Sequence, residues 1–292
     1  MEIVTKLRLV QLLCLKCLVD TTNVCNKLNI DYYLIAGTLL GAVRNKGFIP
    51  WDSDIDICMF RKDYEHFIKN APELLNEDYF IQNDISDPLN NTFFTKVRIR
   101  GTKFREKRNK ALGGEHGIYI DIFPIDEIEE YPTKSKFYLL KIVRILIRLK
   151  AFKNGKHFSA SLTRSIYSYI LFCFFFWIPI KWINISIEKY FRRENGREFD
   201  LVTNYNSKYG ILKQTMNKSI YGKPQSIIFE NHLFKIPQKY KLWLTNIYGN
   251  YMMKPSKIPN LSKVLNPYYI DYGKYKNLLD ENEDSVYKTL GL

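Results

Sequence analysis

The stretch FIPWDSDIDICMF carries two aspartates two positions apart, Asp54 and Asp56, each followed by an isoleucine. On a β-strand alternate side chains share a face, so Asp54, Asp56 and Cys58 point one way while Ile55, Ile57 and Met59 point the other. The apolar side anchors such a strand in a core. The opposite side presents two carboxylates a few ångströms apart, an arrangement that a proton or a cation must relieve. Mg²⁺ or Mn²⁺ relieves it directly, because these hard ions take oxygen ligands and are commonly held by one or two carboxylates plus substrate phosphates. A third carboxylate stands in GIYIDIFPI, where Asp121 shares a face with Tyr119 and Phe123. Beside the first strand it would complete a three-carboxylate metal site, with Asp121 also able to accept the proton of an attacking hydroxyl. The plainer alternative is a solvated outer face of an antiparallel strand. Asp52 and Asp126 lie near strand ends, where a turn or capping role competes with a metal role.

Cations accompany these acids. TFFTKVRIR alternates, with Lys96, Arg98 and Arg100 on one face and Thr95, Val97 and Ile99 on the other. A cationic row beside a carboxylate–metal site suits a phosphoryl substrate; a solvated strand face is the alternative. Arg44, in the loop before the aspartates, has the same standing. His66, His116, His157 and His232 form no ligand spacing.

The elements that must position these residues follow from periodicity. From Leu7, apolar residues at Val10, Cys14, Cys17, Thr21, Val24 and Leu28 make one helical stripe. That stripe reads Cys14 and Cys17 as buried helix positions, since no second pair or βαβ context supports a metal or redox role. DYYLIAG reads as a short strand, TLLGAVR as a short helix entered through Gly37 and Thr38, and RKDYEHFIKNAPELL as a helix. The first ~130 residues thus predict an α/β (α+β) unit, a small mixed sheet flanked by helices. Three parts are expected: a catalytic core over 1–130, a helical, basic and hydrophobic insertion over 131–225, and a segment over 226–292 that returns to the core. Five cysteines, odd in number and set in apolar stretches, argue against a disulfide framework and favour a reducing, cytoplasmic setting. No signal-peptide pattern opens the chain. The 44 Lys and Arg against 30 Asp and Glu leave a net charge of +14, which draws the molecule to polyanions or anionic lipid.

The blocks AGTLLGAVRNKGFIPWDSDIDICMFRKDYEHF, TKVRIRGTKF, GIYIDIFPID and FENHLFKIPQKYKLWLTNIYGNYMMKP occur in an order that resembles the LicD family of phosphocholine transferases, related to the fukutin-type proteins. The resemblance covers roughly residues 1–126 and 226–255. It implies a nucleotidyltransferase-type fold, with Gly37 and Thr38 in the turn before the metal strand, Asp54 and Asp56 on that strand, and Asp121 on a neighbour. It implies Mg²⁺, a CDP-alcohol donor (typically CDP-choline), a glycan or lipid-linked glycan acceptor, and CMP as product. In that scheme Lys96 and Arg98 neutralise the leaving phosphate, and backbone N–H groups at the Gly37–Thr38 turn approach a phosphate. Where the family commonly shows W-D-D-D-I-D, Ser53 replaces the middle aspartate. By alternation that position faces away from Asp54.

The uncharged run from Ser165 to Ile180, about 16 residues, falls short of the ~20 that span a bilayer. Flanked by the basic stretches 141–153 and 189–193, it suggests helices lying on an anionic membrane surface, with a hairpin buried on the core as the alternative. Two other functions fit the composition. Attack on a nucleoside triphosphate would transfer a nucleotide from the same carboxylates. A basic nucleic-acid-binding protein is disfavoured, because the aromatics cluster apart from the cations, and no nucleic acid is expected.

Overall fold

A computed structural model describes residues 4–88, 90–106, 115–154, 173–253 and 267–292. Helix α1 (Lys6–Lys27) starts where Thr5 Oγ1 accepts from the Arg8 N–H and buries Leu9, Leu12, Leu13, Cys14, Leu15 and Cys17. It is buried on more than the one predicted stripe because it packs across the sheet, against strands β4 and β6 described below. Burial holds the thiols of Cys14 and Cys17 well above the usual range, so both are packing groups, as the stripe predicts.

The sheet orders its strands β1 (Tyr33–Leu34), β2 (Asp56–Phe60), β6 (Tyr119–Ile128), β4 (Thr95–Ile99) and β3 (Tyr79–Gln82). Only the β2–β6 pair is parallel; the others on this path are antiparallel. Helix α2 (Ala36–Asn45) lies between β1 and β2, and helix α3 (Arg61–Leu74) follows β2 at once. β5 (Lys103–Glu106) pairs outside this sheet, with β11 (Pro267–Asp271). The isoleucines that back the strands, Ile55, Ile57, Ile120 and Ile122, are inaccessible to solvent and form the core with α1.

β6 is long because it serves two partners. Its first half lies between β2 and β4, whereas Asp126, Glu127 and Ile128 pair with β7 (Leu201–Thr203), which in turn carries β8 (Met216–Asn217). The sequence left Asp126 between a turn role and a metal role. It has neither: fully buried, it accepts from Arg61 Nε and Nη2 at 2.7 and 2.8 Å and from Asn195 Nδ2 at 2.6 Å.

The basic stretch forms helix α4 (Lys134–Lys153), which packs on α5 (Ile180–Arg192) through Val143, Leu149, Ile183, Ile187 and Phe191. The first half of the uncharged run, residues 165–172, falls outside the described residues. Among those described, no helix is long and apolar enough to cross a membrane. After the short helix α6 (Ile211–Gln214), hairpin β9 (Gln225–Phe229) and β10 (His232–Ile236) turns through Glu230 and Asn231, both with positive φ, as a tight two-residue turn requires. Helix α7 (Tyr240–Tyr248) and the C-terminal helix α8 (Glu283–Leu290) complete the chain. Trp243, Val286 and Leu290 join the main core, and the Tyr272 hydroxyl donates to the Lys6 carbonyl.

Candidate active site

The parallel register of β2 and β6 sets Asp56 opposite Asp121, and the antiparallel register of β4 sets Lys96 opposite Asp121 on its other side. Three charged side chains from three adjacent strands therefore face one cavity of about 390 Å³, which Asp54, Arg98 and Lys208 also line. Asp54 precedes the regular strand, which begins at Asp56. Its position comes from the extended lead-in, and the strand start is held by the Thr38 hydroxyl, which accepts from the Asp56 N–H at 2.9 Å. The Ile35 N–H adds a bond to the Asp56 carbonyl at 3.1 Å, and the Asp121 N–H bonds the Ile55 carbonyl at 2.8 Å.

Helix α2 begins at Ala36, earlier than the Gly37–Thr38 turn suggests, and Ile35 and Ala36 are the residues of this turn that line the cavity. Ala36 has φ +50°, a left-handed conformation costing an ordinary residue roughly 1–2 kcal/mol. Gly37 works from behind: a β-carbon there would collide with the Asp52 carboxylate. Asp52 thus enters the aspartate cluster, where the sequence assigned it no firm role. Arg44 lies in the last turn of α2, bonds Asn45 Oδ1 at 3.2 Å, and does not line the cavity. At 1.5 Å per residue it stands about 12 Å along the helix from Ala36.

β4 is buried along both faces, contrary to a solvated cationic face. Lys96 is ion-paired with Asp121, and its ammonium sits over the Tyr119 ring at 3.7 Å and near the Phe94 ring at 4.9 Å. Arg98 donates to Gln82 Oε1 at 2.6 Å and to the Gly117 carbonyl at 2.7 Å, with its guanidinium 4.7 Å from the Tyr119 ring centre. Arg100 leaves the row, donating to the Tyr79 carbonyl and pairing with Glu115 at 3.7 Å. The opposite wall, Asn204, Asn206, Ser207, Lys208 and Tyr209, comes from the loop after β7. No motif marks that loop; only its run of small polar residues hints at a shaped turn. Phe94 and Phe123 lie against each other on the cavity wall, ring centres 4.4 Å apart and planes tilted by 33°.

The electrostatics show an excess of acid. Burial, then the neighbouring Asp54, pushes Asp52 up to about 8. Burial followed by Asp54, Asp121 and Asp52 holds Asp56 well above the carboxylate range. Asp121 is raised by burial despite Lys96, and Lys96 is lowered by burial despite Asp121, so desolvation outweighs their pairing. For Lys208 burial acts downward, but Tyr209 and the three aspartates 54, 56 and 52 prevail and hold its ammonium above the usual value. Lys208 is exposed at the cavity mouth, so solvent screens that attraction.

These donors are all oxygens and carry uncompensated charge, which suits a hard divalent cation. Asp54 and Asp56, which line the cavity, are the residues that would hold one. Among the described residues no three His, Cys, Asp or Glu side chains are gathered as ligands of a single ion, and Asp121 is engaged by Lys96.

A mixed sheet with two aspartates entering one strand and a third on its parallel neighbour thus frames the cavity. Residues 29–144 match the LicD/FKTN/FKRP nucleotidyltransferase domain, so this part of the chain is similar to that domain. The lipopolysaccharide cholinephosphotransferase LicD of Haemophilus influenzae is 28% identical over 255 residues, 85% of this chain and 92% of that one. An uncharacterized protein of Rickettsia typhi is 42% identical over 119 residues, which cover 40% of this chain and 36% of that protein. The matched domain contains Asp54, Asp56, Lys96, Arg98 and Asp121, while Lys208 and Trp243 lie beyond it.

Proposed function

We propose that the chain transfers phosphocholine from CDP-choline to a hydroxyl of lipopolysaccharide or its lipid-linked precursor, releasing CMP, with Mg²⁺ or Mn²⁺ as cofactor. The observation that carries this reading is the convergence of Asp54, Asp56 and Asp121 with Lys96, Arg98 and Lys208 around one cavity. The Haemophilus relative supplies the transferred group and the acceptor class.

Asp54 and Asp56 would hold the cation, which supplies charge neutralisation on the diphosphate. Lys208 and the first N–H groups of α2, which no side chain caps, would donate to the phosphate oxygens at the cavity mouth. Phe94 and Phe123 offer π-faces to the trimethylammonium group. A donor phosphate draws Lys96 from Asp121, which leaves that carboxylate to accept the proton of the acceptor hydroxyl. The hydroxyl oxygen then bonds to the phosphorus that bears choline, and the bond from that phosphorus to the bridging oxygen breaks. CMP departs with its new charge beside Lys96 and Arg98.

The test is a donor comparison with CDP-choline, CDP-ribitol and CDP-glycerol, each with Mg²⁺ and lipopolysaccharide, scored by CMP release. CDP-choline is expected to turn over fastest. Pyrophosphate release from a nucleoside triphosphate, with no CMP from any CDP-alcohol, would replace this reading with nucleotidyl transfer.

A further inference from the structure

Outside the cavity lining, the outer faces of α4 and α5 expose a set of large apolar side chains. Tyr138 and Ile142 on α4, Phe174 and Trp177 in the turn before α5, and Trp182 and Ile185 on α5 are each more than half exposed. Contiguous exposed apolar surface of this kind marks a site of interaction. The two helices are locked together by their inner faces, and the turn is fastened to the end of α4, where Lys153 Nζ donates to the Phe176 carbonyl at 2.6 Å and also to the Ile178 carbonyl.

Charge selects among occupants. α4 contains no acidic residue among its twenty. Lys134, Lys141, Arg144 and Arg148 on α4, with Lys181 and Lys189 on α5, are exposed around the apolar residues. The one acid of α5, Glu188, is taken by Arg192 at 2.9 Å and by Arg61 at 3.5 Å. A second copy of the chain would bring the same cations against themselves, which disfavours self-association. An anionic bilayer matches both features, because lipid headgroups meet the lysines and arginines while tryptophan and aliphatic side chains enter the acyl boundary.

The turn is also prepared for low dielectric. Trp177 Nε1 donates to the Phe174 carbonyl at 2.9 Å, and Lys153 satisfies two further carbonyls, so three backbone oxygens and an indole N–H already have partners. Unsatisfied groups of those kinds would oppose insertion. We infer that the outer face of α4, the Phe174–Trp177 turn and α5 form a peripheral docking surface for an anionic phospholipid bilayer. This surface is independent of the transfer reaction, and its test does not require turnover.

The experiment is flotation of the full chain with vesicles of phosphatidylethanolamine and phosphatidylglycerol, against vesicles of phosphatidylcholine alone. Binding to the anionic vesicles, weakened by salt, is expected. The double variant Trp177→Ser/Trp182→Ser and the charge variant Lys141→Glu/Arg148→Glu should each lower the bound-to-free ratio by about tenfold or more. All four positions are solvent-facing, so an unchanged melting temperature serves as the folding control. Failure to float with anionic vesicles overturns the inference, as does equal binding to both vesicle types. A concentration-dependent dimer that Trp182→Ser dissolves would overturn it in favour of self-association.

Discussion

At the N-terminal end of α2, Gly37 makes room for the carboxylate of Asp52; at its C-terminal end, Gly47 makes room for that of Glu230. The parts are alike and the electrostatics are opposite. Burial acts to raise Glu230, but Arg8 at 2.7 Å, the Phe48 N–H at 2.9 Å and the Tyr287 hydroxyl at 2.9 Å overcome it and hold the carboxyl below its usual range. Arg8 also donates from Nε to Glu283 at 2.9 Å, tying α1 to α8 and the β9–β10 turn. Charge there is matched, and the groove above it, lined by Arg8, Lys46, Glu230 and Glu283, is walled by this clamp. At the other end Asp52, Asp54 and Asp56 repel one another, and Lys208, the cation that all three act on, is exposed. A protein keeps such unrelieved charge where a ligand completes it, and satisfied charge where it joins elements.

The largest effect should separate the two ends. Asp56→Asn is expected to lower phosphocholine transfer by about 10³-fold or more, the scale of losing a charge-organising group in phosphoryl transfer, while the melting temperature stays level or rises. Glu230→Gln should do the reverse. It breaks a largely buried pair, lowering stability by about 2–3 kcal/mol in a denaturant titration, while transfer stays within about twofold. Lys208→Met should come next, reducing kcat/KM by about 10- to 100-fold with an unchanged melting temperature, because in the proposed reaction its ammonium meets the donor phosphates.

A third buried charge sharpens the contrast. Lys150 on α4 is inaccessible to solvent, has no hydrogen-bond partner among the described residues, and sits 4.8 Å from the Phe93 ring centre. Burial lowers its pKa to about 8, against the pull of Asp84, Asp87 and Glu188. A lysine whose folded pKa is depressed contributes stability that is present above its unfolded value and is lost as pH falls through about 8. Lys150→Met is therefore expected to stabilise the chain by about 1–2 kcal/mol at pH 7, with the gain shrinking toward pH 10. Melting temperatures of both proteins across that range check it. The smallest effect is expected at Arg44, where Arg44→Ala should leave transfer within about twofold, since Arg44 does not line the cavity.

Much of the site was legible because short-range rules decide it. Strand alternation and an isoleucine on either side suffice to orient Asp121, and a parallel neighbour is what then sets it beside Asp56. Asp54 converged although regular strand begins only at Asp56, since an extended lead-in keeps the same alternation. What the pattern missed depends on contacts far along the chain. Asp126 pairs with Arg61 because β6 outruns β2 and takes β7 as a second partner. β4 reads as a strand with one charged face, yet both faces are covered, Lys96 and Arg98 being stacked on Tyr119. Lys208 belongs to a loop with no periodicity, and its role arises from where β7 delivers it. The surface of α4 and α5 was legible as a basic, apolar segment; which residues stay exposed was decided by how the two helices pack.

The central claim is that the charge excess at the N-terminal end of α2 is a cation site and the matched charge at the other end is not. Melting temperature followed across a Mg²⁺ titration tests it directly in the wild-type chain, Asp56→Asn and Glu230→Gln. Mg²⁺ should raise the melting temperature of the wild type and of Glu230→Gln by the mass-action increment expected for a ligand bound only by the folded state, and leave Asp56→Asn unmoved. An equal rise in all three proteins, or no rise in the wild type, would contradict the account.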